Sequence, residues 1–282
     1  MFAKLLKYDI RAAKRYVLPL LIALACLTVV GMVDGAVLVS SIETSVTDEA
    51  FFPDFVTTIS IFSLLFIIFA IVALTAVIGI LITVEYYKST VTDEAYLTFT
   101  LPVRPSRILL SKTVNGVIWT VVFAVASIVA IVLILITMVI FAAPGSADTT
   151  SPVAPSDFGG VGAFIFVIIS FIIYALSYIV NSILLYFMAV TLSSTITTKN
   201  RVLCAVGCII GANFAYGIIN NIIDTILSIA GLGVLDSALS SADGAMVLVG
   251  VTTLIRAIIM ALFSVLFFFI TNKLFTKKLN LA

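Results

Sequence analysis

The stretch TTISIFSLLFIIFAIVALTAVIGILITV, residues 57–84, decides the fold because no charged side chain occurs anywhere in it. An α-helix needs about 20 predominantly apolar residues to cross the hydrocarbon core of a bilayer. This stretch exceeds that length, and so do five other segments. They are residues 17–40, 113–143, 161–193, 202–231 and 245–272. The sequence therefore predicts an all-α membrane protein with six transmembrane helices.

The composition of the whole chain fits the same class. Of its 282 residues, 62% are hydrophobic and 10% are charged, whereas soluble domains carry about 25% charged residues. The chain lacks the polar surface that a globule in water needs. We therefore expect residues 1–282 to form one transmembrane domain without a soluble domain. The charge pattern offers no basic face for nucleic acid.

The basic residues fall on one side of the six segments. All but one of the 15 lysines and arginines precede the first segment, follow the last, or lie in the second and fourth connections. The first, third and fifth connections carry only acidic charges: Glu43, Asp48, Glu49, Asp54, Asp148, Asp157, Asp236 and Asp243. Because basic loops stay in the cytoplasm, we expect a multi-pass protein of the plasma membrane with both termini cytoplasmic.

Residues 2–16, FAKLLKYDIRAAKRY, have the pattern of a helix that lies in the membrane interface. Leu5, Leu6 and Ile10 can share one face with Phe2, and basic residues surround that face. Such a helix binds in the headgroup layer and attracts anionic lipids. We expect an N-terminal elbow helix that anchors the first span, and that either stops there or also braces a partner protein.

The second connection, EYYKSTVTDEAYLTFTLPVRPSRILLSK, residues 85–112, is the longest on the basic side. Thr92 is a suitable N-cap. Asp93 and Glu94 would follow in the first turn, where the helix dipole favours acidic side chains. The residue before Pro102 avoids the helical conformation, so a helix would end there. The pattern predicts a short helix between spans 2 and 3.

This short helix would present Tyr96, Leu97 and Thr100 next to its acidic first turn. Aromatic and acidic side chains on one amphipathic helix suit docking into a groove on a cytosolic protein. A helix of the same pattern can equally rest on the inner surface of the membrane. The residues by themselves leave both interpretations open.

The second connection resembles one family. YK at residues 87–88 and TDEAYLTFTLPV at residues 92–103 resemble the pattern of type-2 ABC exporter permeases of Gram-positive bacteria, which carry aromatic-Tyr-Lys-Asn, then Asp-Glu-Gly-Tyr-Leu, then Thr-Leu-Pro-Val. SK at residues 111–112 and KLLKY at residues 4–8 also fit. The resemblance in the six-span plan extends over the whole chain, whereas the motifs specific to the family are confined to these short stretches.

Two positions depart from that family pattern. Ala95 stands where the family usually has glycine, and Ser89 where it usually has asparagine. Alanine favours a helix more than glycine does, and neither change removes a group that docking requires.

The resemblance implies that the chain is a permease subunit with a coupling helix around residues 93–102. The residues implied to bind a cytosolic ABC ATPase subunit are Asp93, Glu94, Tyr96, Leu97, Thr100, Leu101 and Pro102. ATP and magnesium would bind to that partner, and a second permease copy, identical or related, would complete the transporter. The sequence itself is consistent with an ATP site on a partner subunit. A Walker A loop needs a lysine directly after a glycine, and no lysine in this chain follows a glycine.

Three ionisable side chains lie within the predicted spans, where such groups are costly and usually functional. Arg256 lies inside the sixth segment, Asp224 in the outer part of the fifth, and Asp34 toward the outer end of the first. Asp224 is the nearest partner for Arg256 by depth, although their levels differ by about 10–15 Å at 1.5 Å per residue. We expect Asp34 in the outer headgroup layer, and we leave the Arg256–Asp224 pair open.

Polar stripes at helical spacing run along the fourth and fifth segments. Such stripes either line a conduit for a transported compound or hold helices together by hydrogen bonds. The candidate conduit residues are Tyr174, Tyr178, Asn181, Asn213, Asn220, Asp224 and Arg256. Two GxxxG spacings, residues 31–35 and 207–211, would permit close contact between helices.

No catalytic or metal site is predicted. The chain has no histidine, and its three cysteines, Cys26, Cys204 and Cys208, lie in apolar segments. No serine or cysteine has a base placed beside it. We therefore expect a protein that is not an enzyme and binds no cofactor of its own.

Three functions remain open. The resemblance implies an ATP-driven exporter of a peptide, an antibiotic or another amphipathic compound. An ion-coupled secondary transporter would instead use Asp224, Arg256 or Asp34 and need no ATPase, although the chain shows none of the internal repeats common in that class. A non-transporting membrane scaffold or immunity protein would share the topology without a polar conduit.

Overall fold

The structure is a computed structural model that describes six stretches of the chain, all of them α-helical. They are α1 (Phe2–Thr47), α2 (Phe51–Val91), α3 (Pro105–Ala142), α4 (Val161–Ile196), α5 (Arg201–Ala238) and α6 (Ala242–Lys278). Each helix contains a span of 26 to 38 residues that is apolar and long enough to cross a membrane. The predicted all-α architecture, with six helices able to span a bilayer, is confirmed.

Large apolar side chains cover the outside of these helices. Phe62, Phe66 and Phe69 of α2, for example, are 68–69% exposed. In water such a surface would be strongly unfavourable, and contiguous exposed apolar surface of this kind marks contact with lipid or with other proteins. The exposed surface therefore agrees with a multi-pass membrane protein.

Proline positions explain part of the helix boundaries. Pro105 is the first residue of α3, where the missing N–H has no consequence because that group would be unpaired anyway. Pro53 lies in the first turn of α2. Pro19 is the one proline that lies beyond the first turn of a described helix, and membrane helices tolerate such a residue when neighbouring groups satisfy the freed carbonyl.

The N-terminal segment differs from the expected elbow. Residues 2–16 are helical, but α1 continues through them into the first span without a break. The physical reason is the absence of any glycine or proline before Pro19, so that no residue ends the helix there. Lys7 and Arg11 are exposed and Leu5 is partly covered, as an amphipathic segment requires.

The described helices divide into two compact units. The α1 unit comprises residues 7–82 and 118–152, and so contains most of α1 with the bodies of α2 and α3. Gly31 of α1 permits a close approach here, because a Cβ at this position would lie 2.7 Å from Cδ1 of Ile134 and 3.3 Å from Cγ2 of Ile67. This GxxxG spacing is therefore used in packing.

Asp34 has a partner inside the α1 unit. The hydroxyl of Ser63 on α2 donates a hydrogen bond to Oδ2 of Asp34 on α1. A carboxylate that accepts such a bond is partly compensated for its removal from water. The interaction ties α1 to α2 at the level of Asp34.

The α4–α6 unit comprises residues 1–6, 83–117 and 153–282. Helices α4, α5 and α6 pack on one another, and the α4–α6 contact is the most extensive. Leu184 of α4 and Phe267 of α6 lie in its apolar core. The unit also contains the last turns of α2 and the first turns of α3, which flank the second connection.

Candidate functional site

Polar side chains of α4 and α5 meet within the α4–α6 unit. The amide nitrogen of Asn181 on α4 donates a hydrogen bond to the hydroxyl of Tyr216 on α5. Asn220, one turn further along α5, also interacts with that hydroxyl, and Tyr174 and Tyr178 of α4 are close enough to affect it electrostatically. We refer to these five residues as the Tyr216 cluster.

Asn181 holds an unused hydrogen-bonding atom inside this cluster. The residue is 1% exposed, and among the described residues its Oδ1 has no hydrogen-bond partner. Exchanging the oxygen and nitrogen of the amide would let Tyr216 donate to Oδ1 and would leave Nδ2 unpaired instead. Either assignment leaves one end of a buried amide able to bind a polar group, and an unsatisfied buried group is costly.

Tyr216 is held from its apolar side by aromatic rings of α6. Its ring packs edge-on against Phe263 and Phe267, with centroid distances of 5.9 and 6.1 Å. Edge-to-face packing is a favoured arrangement of aromatic rings. The ring is thereby packed against the apolar core of the unit, while its hydroxyl accepts the bond from Asn181 and interacts with Asn220.

The tyrosines of α4 form the accessible border of the cluster. The rings of Tyr174 and Tyr178 lie 6.4 Å apart at a tilt of 31°. Tyr178 is 51% exposed, so part of this residue is open to a molecule that approaches α4. The cluster therefore combines one exposed tyrosine with a buried amide.

An ion pair joins α5 and α6 in the same unit. Nε of Arg256 lies 3.0 Å from Oδ1 of Asp224. The N–H at Nε lacks the direction of a hydrogen bond, so the contact is one between charges. The structure thus brings together the two residues whose pairing the sequence left open.

One candidate conduit residue of α5 and a serine of α4 bond to their own helices instead. Asn213 donates from Nδ2 to the carbonyl of Ile209 at 2.8 Å, and Ser170 donates to the carbonyl of Phe166 at 2.7 Å. Local bonds of this kind occupy the hydrogen of the serine hydroxyl and one of the two N–H groups of the asparagine amide within a single helix. Asn213 is therefore the one proposed conduit residue that joins neither the cluster nor the ion pair.

Tyr216 itself was missed by the sequence analysis. It lies three residues after Asn213 and four before Asn220, which is the spacing of neighbours on one helical face. The interpretation of the fifth segment considered Asn213, Asn220 and Asp224 and did not include this tyrosine. The signal was a tyrosine within that stripe, since tyrosine carries a polar group on an apolar ring.

The predicted coupling residues lie outside the described part of the chain. Asp93, Glu94, Tyr96, Leu97, Thr100, Leu101 and Pro102 all belong to the stretch between α2 and α3. The helix ends on either side, Val91 and Pro105, are described, and the helical turns leading to them belong to the α4–α6 unit.

Tyr86 fastens the end of α2 to α4. Its ring stacks on that of Phe187, with centroids 3.8 Å apart and planes 8° from parallel, and its hydroxyl lies 2.9 Å from Oγ1 of Thr191. The Thr191 hydroxyl donates its single hydrogen to the carbonyl of Phe187 at 2.7 Å. Because a hydroxyl has only one hydrogen to give, Tyr86 is the donor to Thr191. We call these three residues the Tyr86 link.

The described side chains do not indicate a metal-binding site. No three His, Cys, Asp or Glu residues among them are grouped closely enough to hold a metal ion. The three cysteines are free thiols.

The comparisons with known proteins give no relative from which a role could be taken over. No family model, no curated protein and no solved structure matches this chain.

Proposed function

We propose that this chain is the membrane-spanning permease subunit of an ATP-driven exporter of the type-2 ABC class. Both termini would lie in the cytoplasm of a bacterial cell, and a separate cytosolic ABC ATPase would bind and hydrolyse ATP. Two permease copies, identical or related, would work with two ATPase copies. The motifs of the second connection carry this resemblance.

The structural observation that supports the proposal most is the position of the two helix ends around the second connection. The last turns of α2 and the first turns of α3 belong to the compact unit that holds the Tyr216 cluster. A protein that docks at this connection would therefore act on the same packed unit that carries the polar cluster. An exporter driven by a separate ATPase needs such an arrangement.

The chemistry of the Tyr216 cluster suits an amphipathic cargo. Phenols and amides offer hydrogen bonds without net charge, and the neighbouring phenylalanines offer apolar surface. Sites that combine apolar lining with a few placed polar groups are typical for small organic ligands. A peptide, an antibiotic or another amphipathic compound matches this combination.

The test is co-purification with an ABC ATPase encoded beside the chain. The chain and the ATPase are co-expressed, extracted in mild detergent and isolated through a tag on the chain. We expect a stable complex from the parent protein. We expect its loss when the predicted coupling helix is reversed in charge by Asp93→Lys with Glu94→Lys, because these residues would face the partner.

The matched control reverses two acidic residues on the opposite side, Glu43→Lys with Asp48→Lys. This variant should keep the ATPase. A complex that survives reversal at residues 93 and 94 would move the contact elsewhere, and residues 2–16 would be examined next. A chain that binds no ATPase under any condition would contradict the proposal.

One observation favours a second candidate, an ion-coupled secondary transporter. The Arg256–Asp224 pair places a carboxylate and a guanidinium in contact within membrane-spanning helices, and such groups often form ion pathways. Transport by the purified chain alone, driven by a proton or sodium gradient and abolished by Asp224→Asn, would support this candidate over the ATP-driven one.

A further inference from the structure

The Tyr86 link stands at the ends of two helices. Tyr86 is five residues from Val91, where α2 ends, and Thr191 is five residues from Ile196, where α4 ends. At a helical rise of 1.5 Å per residue, each partner is about 7–8 Å from its helix end. The link therefore joins α2 to α4 directly next to the second connection.

The contacts of the Tyr86 link restrict the side chain of Tyr86 to one position. Its ring is stacked on the Phe187 ring, and its hydroxyl bonds through Thr191 to the carbonyl of the same Phe187. The side chain is fully buried. An apolar contact alone would allow the helices to slide along each other. A directional hydrogen bond added to the stack fixes their register, because it weakens steeply away from its preferred geometry.

Thr191 lies on the same helix, α4, as Asn181 of the Tyr216 cluster. Asn181 precedes Phe187 by six residues, about 9 Å along the helix axis. Between residues 171 and 196, α4 contains no glycine or proline, the residues that most often bend helices. This part of α4 can therefore transmit a displacement from the link to the buried amide.

We propose that Tyr86 is the positioning residue that passes movement from the Val91 end of α2 to α4 and so to the Tyr216 cluster. This inference rests on the proposed function, since it assigns to the link the coupling between the ATPase and the cargo site. The hydrogen bond between the Tyr86 and Thr191 hydroxyls determines how much of the movement of α2 reaches α4. Docking of the ATPase itself does not involve them.

The test follows the accessibility of one cysteine during the ATPase cycle. Cys26, Cys204 and Cys208 are replaced by alanine, and Ser177→Cys adds a reporter on α4, one turn from Asn181. The complex with its ATPase is placed in nanodiscs, and the rate of labelling by a sulfonated, membrane-impermeant maleimide is measured without nucleotide and after trapping with ATP and vanadate. The rate of ATP hydrolysis is measured on the same samples.

We expect the parent complex to change its labelling rate on trapping. Tyr86→Phe and Thr191→Val should each keep the ATPase bound and hydrolysing, and should reduce the response to trapping about fivefold, as loss of one hydrogen bond allows. The double variant should respond to trapping as strongly as either single variant, because each substitution removes the same hydrogen bond. Thr191→Ser keeps a hydroxyl at position 191, unlike Thr191→Val, and should show the full response. Tyr87→Phe removes a neighbouring phenol outside the link and should behave like the parent.

Each other outcome overturns the inference. A full response in Tyr86→Phe and Thr191→Val would show that the hydroxyl pair does not carry the movement. Loss of the response together with a lower melting temperature in both variants, without rescue by Thr191→Ser, would assign the link a structural role only. A parent chain that binds no ATPase, or that shows no response to nucleotide, would overturn the proposed function together with this inference.

Discussion

Nε of Arg256 on α6 lies 3.0 Å from Oδ1 of Asp224 on α5, inside two helices that are apolar enough to cross a membrane. The side chains are 40% and 49% exposed, so the pair lies at the surface of the described helices. In a bilayer each charge compensates the other, and an unpaired charge is far more costly than a pair. The two residues therefore act as one structural element.

The first prediction concerns this pair. Asp224→Asn and Arg256→Gln should each lower the free energy of unfolding by about 1 kcal/mol, since polar contacts within membrane proteins contribute on this order. The double variant should lose less than the sum of the two, because it leaves no charge unpaired. Thermal unfolding in the same detergent measures all four proteins. Strictly additive losses would mean that the two charges do not interact.

A second prediction separates the two partners of the Asn181–Tyr216 bond. Tyr216→Phe should lower the free energy of unfolding by about 1–3 kcal/mol, because it leaves the buried amide of Asn181 without its partner. Asn181→Leu removes the buried amide itself and should cost less, since replacing a buried polar group by an apolar one of similar shape can be nearly neutral. Chemical or thermal unfolding of both variants provides the comparison. A larger loss in Asn181→Leu would contradict this account of the cluster.

The third prediction uses two glycines in opposite surroundings. A Cβ at Gly250 of α6 would lie 2.5 Å from Cε1 of Phe166 on α4, whereas a Cβ at Gly207 of α5 would meet no described atom within 4 Å. Gly250→Ala should therefore destabilise the protein by about 1–3 kcal/mol through overpacking. Gly207→Ala is the matched control and should stabilise by up to about 1 kcal/mol through helix propensity. Equal melting temperatures of the two variants would show that α4 and α6 do not approach closely at Gly250.

The fourth prediction concerns orientation. In a background without native cysteines, Ser146→Cys in the third connection should react with an impermeant maleimide on intact cells. Thr198→Cys in the fourth connection should react only after the membrane is permeabilised, because the basic connections are expected in the cytoplasm. The reverse pattern of labelling would place both termini outside the cell.

The spans were predictable because hydropathy alone decides which segments leave water. The six apolar runs of the sequence correspond to the six described helices, and the prolines account for the start of α3. The helices are longer than the predicted spans, since a helix continues beyond the apolar run until a residue ends it. The same reason joins residues 2–16 to the first span.

The contacts between helices were only partly predictable. Tyr174, Tyr178, Asn181 and Asn220 were recognised by their spacing, but Tyr216, which joins them, was not. Tyr86 stood in the sequence as one residue of the second connection without an assigned role, and its place against Phe187 depends on how the end of α2 packs on α4. Spacing reveals which residues share a face of one helix. It does not reveal which faces meet, because that depends on the fit of side chains on both helices.

The measurement that tests the central claim most directly is the native mass of the complex isolated from the source membrane through a tag on this chain. The account predicts one mass that corresponds to two permease copies and two ABC ATPase copies, with loss of the ATPase copies after Asp93→Lys with Glu94→Lys. A chain that is isolated without any ATPase, and whose mass is unchanged by these substitutions, would contradict the claim that it is an ABC permease subunit.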